Sequence, residues 1–233
     1  MRLKAELSEG ATQEQNVRRI ATRGAFPRFY PILDAGSIAF YGLDLFAVAE
    51  ALRDAGVRIL QYRDKQASNE TLLLNALRLH EIFSETTTVL VMNDHPAIAR
   101  EAGLYAVHVG QRDGSPSSVR SVLGEDALVG LSTHNSEQVV RADATDASYL
   151  AIGPAFATGT KLDADPVVGL SGVTSARALT GKPLVAIGGI TFETAQSVYD
   201  AGADSIAVIS DLYSGGSVTT VLKRARDFLA LLK

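Results

Sequence analysis

From Arg28 onward the chain alternates short β-rich runs with helical stretches eight times, with no break in composition between them. The β-rich runs lie at 29–33, 59–63, 89–92, 106–109, 128–132, 149–152, 184–187 and 205–209. Helical patterns follow them at 43–55, 69–84, 96–102, 116–123, 136–141, 172–179, 193–201 and 218–232. Within 69–84, Leu72, Leu73, Ala76, Leu77, His80 and Phe83 recur at three- and four-residue steps, so one stripe of that helix faces inward. The β-rich runs are mostly continuously apolar, as in Leu184-Val185-Ala186-Ile187, which is what parallel strands need when helices cover their outer face. Ala-Gly pairs at 55–56, 102–103 and 201–202 close helices just before the next strand. Eight β-then-α units predict an α/β chain folded as a (β/α)8 TIM barrel with a short N-terminal extension. A doubly wound open sheet is the rival, but no G-x-G-x-x-G follows the first run.

The 233 residues suffice for one large core without a disulfide or metal staple. Hydrophobic residues make up 46%, charged residues 21%, and the formal net charge is −4, the balance of a soluble globular protein. That charge sets aside a broad nucleic-acid-binding surface while leaving room for a local cationic pocket. The absence of cysteine excludes disulfides, thiolate nucleophiles, iron–sulfur clusters and Cys-ligated zinc. No apolar stretch approaches the ~20 residues a membrane helix needs, so no membrane partner is expected. Residues 1–24 carry Lys4, Glu6, Glu9 and Glu14 without an apolar signal core; they read as an extension, partly helical around 13–21. Residues 25–233 then form the barrel domain, and the cytoplasm is the expected location.

Functional groups in such a barrel gather where strands end and βα loops begin. The second run ends in Gln61-Tyr62-Arg63-Asp64-Lys65, the third leads into Asn93-Asp94-His95, and the fourth into Gly110-Gln111-Arg112-Asp113. The fifth ends at Ser132-Thr133-His134, and the sixth opens into a loop holding Thr158-Gly159-Thr160-Lys161. Gly188-Gly189 and Ile209-Ser210 close the last two.

Each string has a chemical reading. The glycine pair lets backbone amides approach a ligand with no Cβ in the way, and the last two loops are the usual phosphate cradle of this fold. A phosphate site is therefore favoured there over a plain tight turn. Arg63 and Lys65 alternate along an extended segment, so both can face one way, a planar fork beside a point charge suited to a diphosphate. Lys161, behind the hydroxyls of Thr158 and Thr160, is a further anion-binding arrangement. One such cation alone would read as solvated surface; three at strand ends argue for a site. Asp94 and Asp113 end neighbouring strands, and two carboxylates with phosphate oxygens and water are how Mg²⁺ is held. Plainer roles remain open for both: Asp94 can cap the helix that begins at Pro96, and Asp113 can form an Asx turn before Gly114. Among the histidines, His80 reads as helix packing and His108 as pointing into the barrel. His95 and His134 sit at the rim with no zinc-ligand spacing. No Gly-x-Ser-x-Gly elbow is present.

Taken together, these strings resemble the thiamine phosphate synthase family from about Arg28 to the C-terminus. The matching residues are Gln61, Arg63, Lys65, Asn93, Asp94, His108, Gly110, Gln111, Asp113, Ser132 and His134, then Gly153 to Lys161, Ile187 to Ile190 and Ser210, in register. The resemblance implies a condensation of a hydroxymethylpyrimidine diphosphate with a thiazole phosphate, giving thiamine phosphate and pyrophosphate. It further implies that Gln61, Arg63, Lys65, Asn93, Ser132 and Lys161 hold the pyrimidine diphosphate, with Tyr62 and Asp64 in the same string. Asp94 and Asp113 would bind Mg²⁺. Thr158, Gly159, Thr160, Gly188, Gly189, Ile209 and Ser210 would grip the thiazole phosphate. Arg63, Lys65, Ser132 and Lys161 are the expected catalytic groups. The partners are then two small molecules, and a homodimer is compatible with everything above.

Three positions depart from the family's pattern. Arg112 stands where Glu is common, Gly159 where a stiffer residue is frequent, and Leu104-Tyr105-Ala106 replaces the usual Ala-Asp-Gly. Two other functions stay open. One is a thiazole tautomerase of the same barrel family, which would not need Arg63 and Lys65 together with Asp94 and Asp113. The other is a non-catalytic barrel that binds a phosphate ligand.

Overall fold

The structure, a computed structural model, describes residues 12–159 and 165–232. Eight parallel strands follow one another in sequence order and close into a barrel. They are β1 (Phe29–Asp34), β2 (Ile59–Arg63), β3 (Val89–Asn93), β4 (Ala106–Val109), β5 (Leu128–Thr133), β6 (Tyr149–Ile152), β7 (Leu184–Ile187) and β8 (Ser205–Val208). β8 pairs back onto β1 with Phe29 opposite Ile206. An outer ring of helices covers them: α1 (Gln13–Ile20), α2 (Ala35–Phe40), α3 (Leu45–Ala55), α4 (Asn69–Ile82), α5 (Pro96–Glu101), α6 (Pro116–Leu123), α7 (Ser136–Asp143), α8 (Gly169–Leu179), α9 (Phe192–Asp200), α10 (Ser210–Tyr213) and α11 (Val218–Leu231), α1 apart. This is the (β/α)8 TIM barrel that the eight units predict. α2 and α10 are additions, too short to show a periodicity in sequence.

Strand parity divides the core in two. Leu33, Leu60, Tyr62, Leu90, Met92 and Val107 face outward into the layer shared with the helices. Tyr30, Ile32, Ile59, Val89, Val91, Ala106, Leu128, Tyr149, Ala151, Val185 and Ala207 face inward and fill the barrel. Helix ends follow local chemistry. Asp44 caps α3 by accepting from Phe46 N–H at 3.0 Å and Ala47 N–H at 2.8 Å. Ser115 and Pro116 start α6 with a capping box.

α1 belongs to the extension, and it closes the barrel's N-terminal end. The Gln13 amide donates to Thr88 O at 2.9 Å and accepts from Leu90 N–H at 3.0 Å, tying the helix to the start of β3. Its inner face carries Val17 and Ile20, which with Phe26 join the barrel-interior cluster. Burying side chains of this size stabilises the fold by about 1.5–3 kcal/mol each. Among the described residues no helix is long and apolar enough to cross a membrane.

Candidate active site

At the opposite, C-terminal end the inward-facing positions turn polar. Gln61 and Arg63 on β2, Asn93 on β3, His108 on β4 and Ser132 on β5 open into a cavity of about 230 Å³. Lys65, Asp94, Asp113, His134, Thr158, Asp165, Gly188 and Ile209 complete its wall. Seven consecutive strand ends, β2 to β8, thus converge on one space, the usual position for chemistry in this fold.

The charges are interleaved. Arg63 Nη1 donates to Asp34 Oδ2, and the other oxygen of Asp34 accepts from the backbone and hydroxyl of Ser37 at 2.8 Å and 2.6 Å. Asp34 is only 3% exposed, so a fully engaged buried carboxylate fixes the guanidinium at the cavity wall. The register makes the pair: Asp34 and Arg63 sit opposite each other across β1 and β2. Lys65 donates to Asp94 Oδ2, which also accepts from Asn93 Nδ2 at 2.6 Å. Asp94 has φ 63°, the left-handed region, where a residue with a Cβ is strained. Its own N–H donates to His108 O at 2.9 Å, so three neighbours hold the strained geometry. His95, not Asp94, occupies the cap position of α5, and it makes no side-chain cap bond. Asp113 Oδ2 accepts from Gly110 N–H at 3.1 Å, folding the loop after β4 back on itself.

Both aspartates fit a hard dication. Each keeps one carboxylate oxygen, Oδ1, without a protein hydrogen-bond partner among the described residues. No group of three or more histidine, aspartate or glutamate side chains there could hold a metal alone. Mg²⁺ is commonly held by one or two carboxylates completed by substrate phosphate and water, so this donor set suits it.

Below the cavity a hydrogen-bonded chain crosses the barrel. The Ser132 hydroxyl meets His108 Nε2 at 2.8 Å, and His108 Nδ1 meets the Tyr149 hydroxyl at 3.1 Å. Tyr149 meets the Tyr30 hydroxyl at 2.9 Å. Loss of water pushes His108 down to about 4, with Asp113 opposing the shift, so the imidazole is neutral at pH 7. Burial drives both tyrosines up, and they stay protonated. On the far rim, His134 Nδ1 lies 2.8 Å from Gly153 O, and its Nε2 lies 3.3 Å from Asp165 Oδ2.

Most of the residues singled out in the sequence gather here, but not all. Tyr62 faces outward, is 2% exposed, and accepts from Asn75 Nδ2 at 2.8 Å; strand alternation turns it away from its neighbours Gln61 and Arg63. Asp64 accepts from Gln66 N–H and Ala67 N–H at 3.0 Å and 3.1 Å, shaping the turn before α4 instead of facing the cavity. Gly159, Gly189 and Ser210 sit beside the cavity, not in its wall. Thr160 and Lys161 lie outside the described residues. Asp34, Tyr30, Tyr149 and Asp165 were not anticipated. Of these only Asp34 carried a signal, an acid at the end of a strand.

Residues 29–212 match the family described as thiamine monophosphate synthase. The thiamine-phosphate synthase of Koribacter versatilis is 46% identical over 211 residues, covering 88% of this chain and 96% of that protein. That of Chloroflexus aurantiacus is 36% identical over 204 residues, covering 88% and 93%. The solved structure of a thiamine phosphate pyrophosphorylase from Pyrococcus furiosus superposes with a TM-score of 0.77 at 25% identity, covering 91% of this chain and 96% of that one.

Proposed function

The chain belongs to the thiamine monophosphate synthase family, and from that premise we propose how its barrel mouth joins a hydroxymethylpyrimidine diphosphate to a thiazole phosphate. The enzyme is a transferase: it forms thiamine phosphate and releases pyrophosphate. The observation that carries the mechanistic reading is the interleaving of Arg63 and Lys65 with Asp94 and Asp113 around one cavity.

Pyrophosphate leaves slowly until its charge is offset. Arg63, fixed by Asp34, presents its fork to the diphosphate, and Lys65 exchanges part of its bond with Asp94 for phosphate oxygen. Asp94 and Asp113 would hold Mg²⁺ through their remaining oxygens. Bound there with the diphosphate, the ion would supply Lewis-acid neutralisation of the leaving group. The carbon–oxygen bond breaks with its electron pair leaving on pyrophosphate, and the methylene cation that results is delocalised into the pyrimidine ring. The thiazole nitrogen lone pair then forms the new carbon–nitrogen bond. Gln61, Asn93 and Ser132 orient the pyrimidine, and Lys161 serves its diphosphate as the resemblance implies; Thr158, Thr160 and the backbone at Gly188, Gly189, Ile209 and Ser210 hold the thiazole phosphate. No protein nucleophile takes part, so positioning and fixed charge supply the rate.

The test is product analysis by mass spectrometry with both substrates and Mg²⁺. Thiamine phosphate and pyrophosphate in equal amounts support the reading. Isomerised thiazole without coupling would instead identify a tautomerase, and no turnover a binding protein.

A further inference from the structure

The hydrogen-bonded strap beneath the cavity runs from Tyr30 through Tyr149 and His108 to Ser132, and its last two members line the cavity wall. The three members before Ser132 come from three different strands: Tyr30 on β1, Tyr149 on β6 and His108 on β4. The two tyrosines are 2% and 0% exposed and lie outside the cavity wall. They lie behind the wall, yet they connect to Ser132, which is part of it. We propose that Tyr149 and Tyr30 are positioning residues for the pyrimidine ring, acting through His108 on Ser132. This rests on the synthase reading above.

Two features of the barrel support the assignment. Gly130 is an inward-facing position of β5, and a Cβ there would collide with the Tyr149 ring and hydroxyl and with His108 Nδ1. The strand therefore leaves open the space in which the Tyr149–His108 contact sits. In addition, Phe26 packs on the other side of Tyr149 at a centroid distance of 5.0 Å and at 6.4 Å from Tyr30, so the ring is clamped from below.

The chemistry of the chain gives it a direction. A hydroxyl donates once, and an imidazole with one N–H donates from one nitrogen and accepts at the other. The protons must then all point the same way along the row. If Tyr30 donates to Tyr149, then Tyr149 donates to His108, His108 donates to Ser132, and the Ser132 hydroxyl proton is free for the ligand. If the order reverses, Ser132 donates to His108 and offers only its lone pairs. The strap thus decides whether Ser132 meets the ring as a donor or as an acceptor.

The test is Tyr149→Phe, which removes one hydroxyl and leaves the packing against Phe26, with Tyr30→Phe as the independent second variant. Steady-state kinetics should show kcat/KM for the pyrimidine diphosphate falling about tenfold, with KM for the thiazole phosphate within twofold of wild type. Combined with Ser132→Ala, Tyr149→Phe should add no further loss, because the strap acts through that hydroxyl. Calorimetric binding of the pyrimidine diphosphate alone should weaken in parallel, which reads the strap even if the wild type fails to condense the two substrates. Equal effects on both substrates, full additivity with Ser132→Ala, or wild-type behaviour in both tyrosine variants would overturn the proposal.

Discussion

Replacing Gly189 by alanine should damage one half of the reaction and spare the other. Gly189 has φ 61°, where a Cβ costs about 1–2 kcal/mol. The added carbon would also run into Ala157 O, and would lie 2.9 Å from Phe156 Cβ and 3.0 Å from Phe156 C, inside ordinary contact distance. Overpacking of this kind costs about 1–3 kcal/mol. If the barrel absorbs both, Tm falls by roughly 4–20 °C at about 2–4 °C per kcal/mol for a chain of this size. The alternative is relief by outward movement of 156–158. That carries Thr158 out of the cavity wall and forfeits a hydrogen bond to phosphate, about 1.5–3 kcal/mol, or roughly 10–100-fold in KM for the thiazole phosphate. Arg63 and Lys65 lie on other strands, so KM for the pyrimidine diphosphate should stay within twofold. Scanning fluorimetry and two substrate titrations decide it. A variant that keeps the wild-type Tm and both wild-type KM values would refute the close approach of the β6 and β7 loops as the reason for glycine there.

Two further outcomes follow from the barrel floor. Phe26→Ala should destabilise the protein by about 3–5 kcal/mol in urea unfolding, because it empties the space between α1 and the two inner tyrosines; a loss below about 1 kcal/mol would show that this end is not closed as described. The folded value of His108, about 4, lies below its ordinary value of 6.5, so the unfolded chain takes up that proton first. Stability from the neutral imidazole is therefore complete above about pH 6.5 and is lost as pH falls towards 4. The slope of Tm between those limits should flatten in His108→Asn, and an unchanged slope would contradict a buried neutral ring.

The parts legible in the sequence are those a single segment determines. Parallel strands covered on both faces must be apolar runs, so all eight strands were visible, most within a residue of their bounds. The strand-end strings carried Arg63, Lys65, Asp94 and Asp113 to one rim because the fold sends every strand end there. What a single segment does not contain is the partner across the barrel. Asp34 becomes the anchor of Arg63 only through the β1–β2 register, and Tyr149 reaches His108 only because Gly130 leaves space between them. Tyr62 and Asp64 were drawn in by adjacency to true cavity residues, where alternation and a tight turn direct them elsewhere. The inward face of α1 could not be read either, since it finds its contacts only once the barrel closes.

Whether a dication held by Asp94 and Asp113 enables the diphosphate to depart is best read from initial rates of pyrophosphate release with both substrates present. The account predicts rapid release with Mg²⁺, loss on adding EDTA with recovery on restoring the metal, and at least a hundredfold loss in Asp94→Ala and in Asp113→Ala, both still folded by circular dichroism. Release that continues at the full rate in EDTA, or in either aspartate variant, would contradict it.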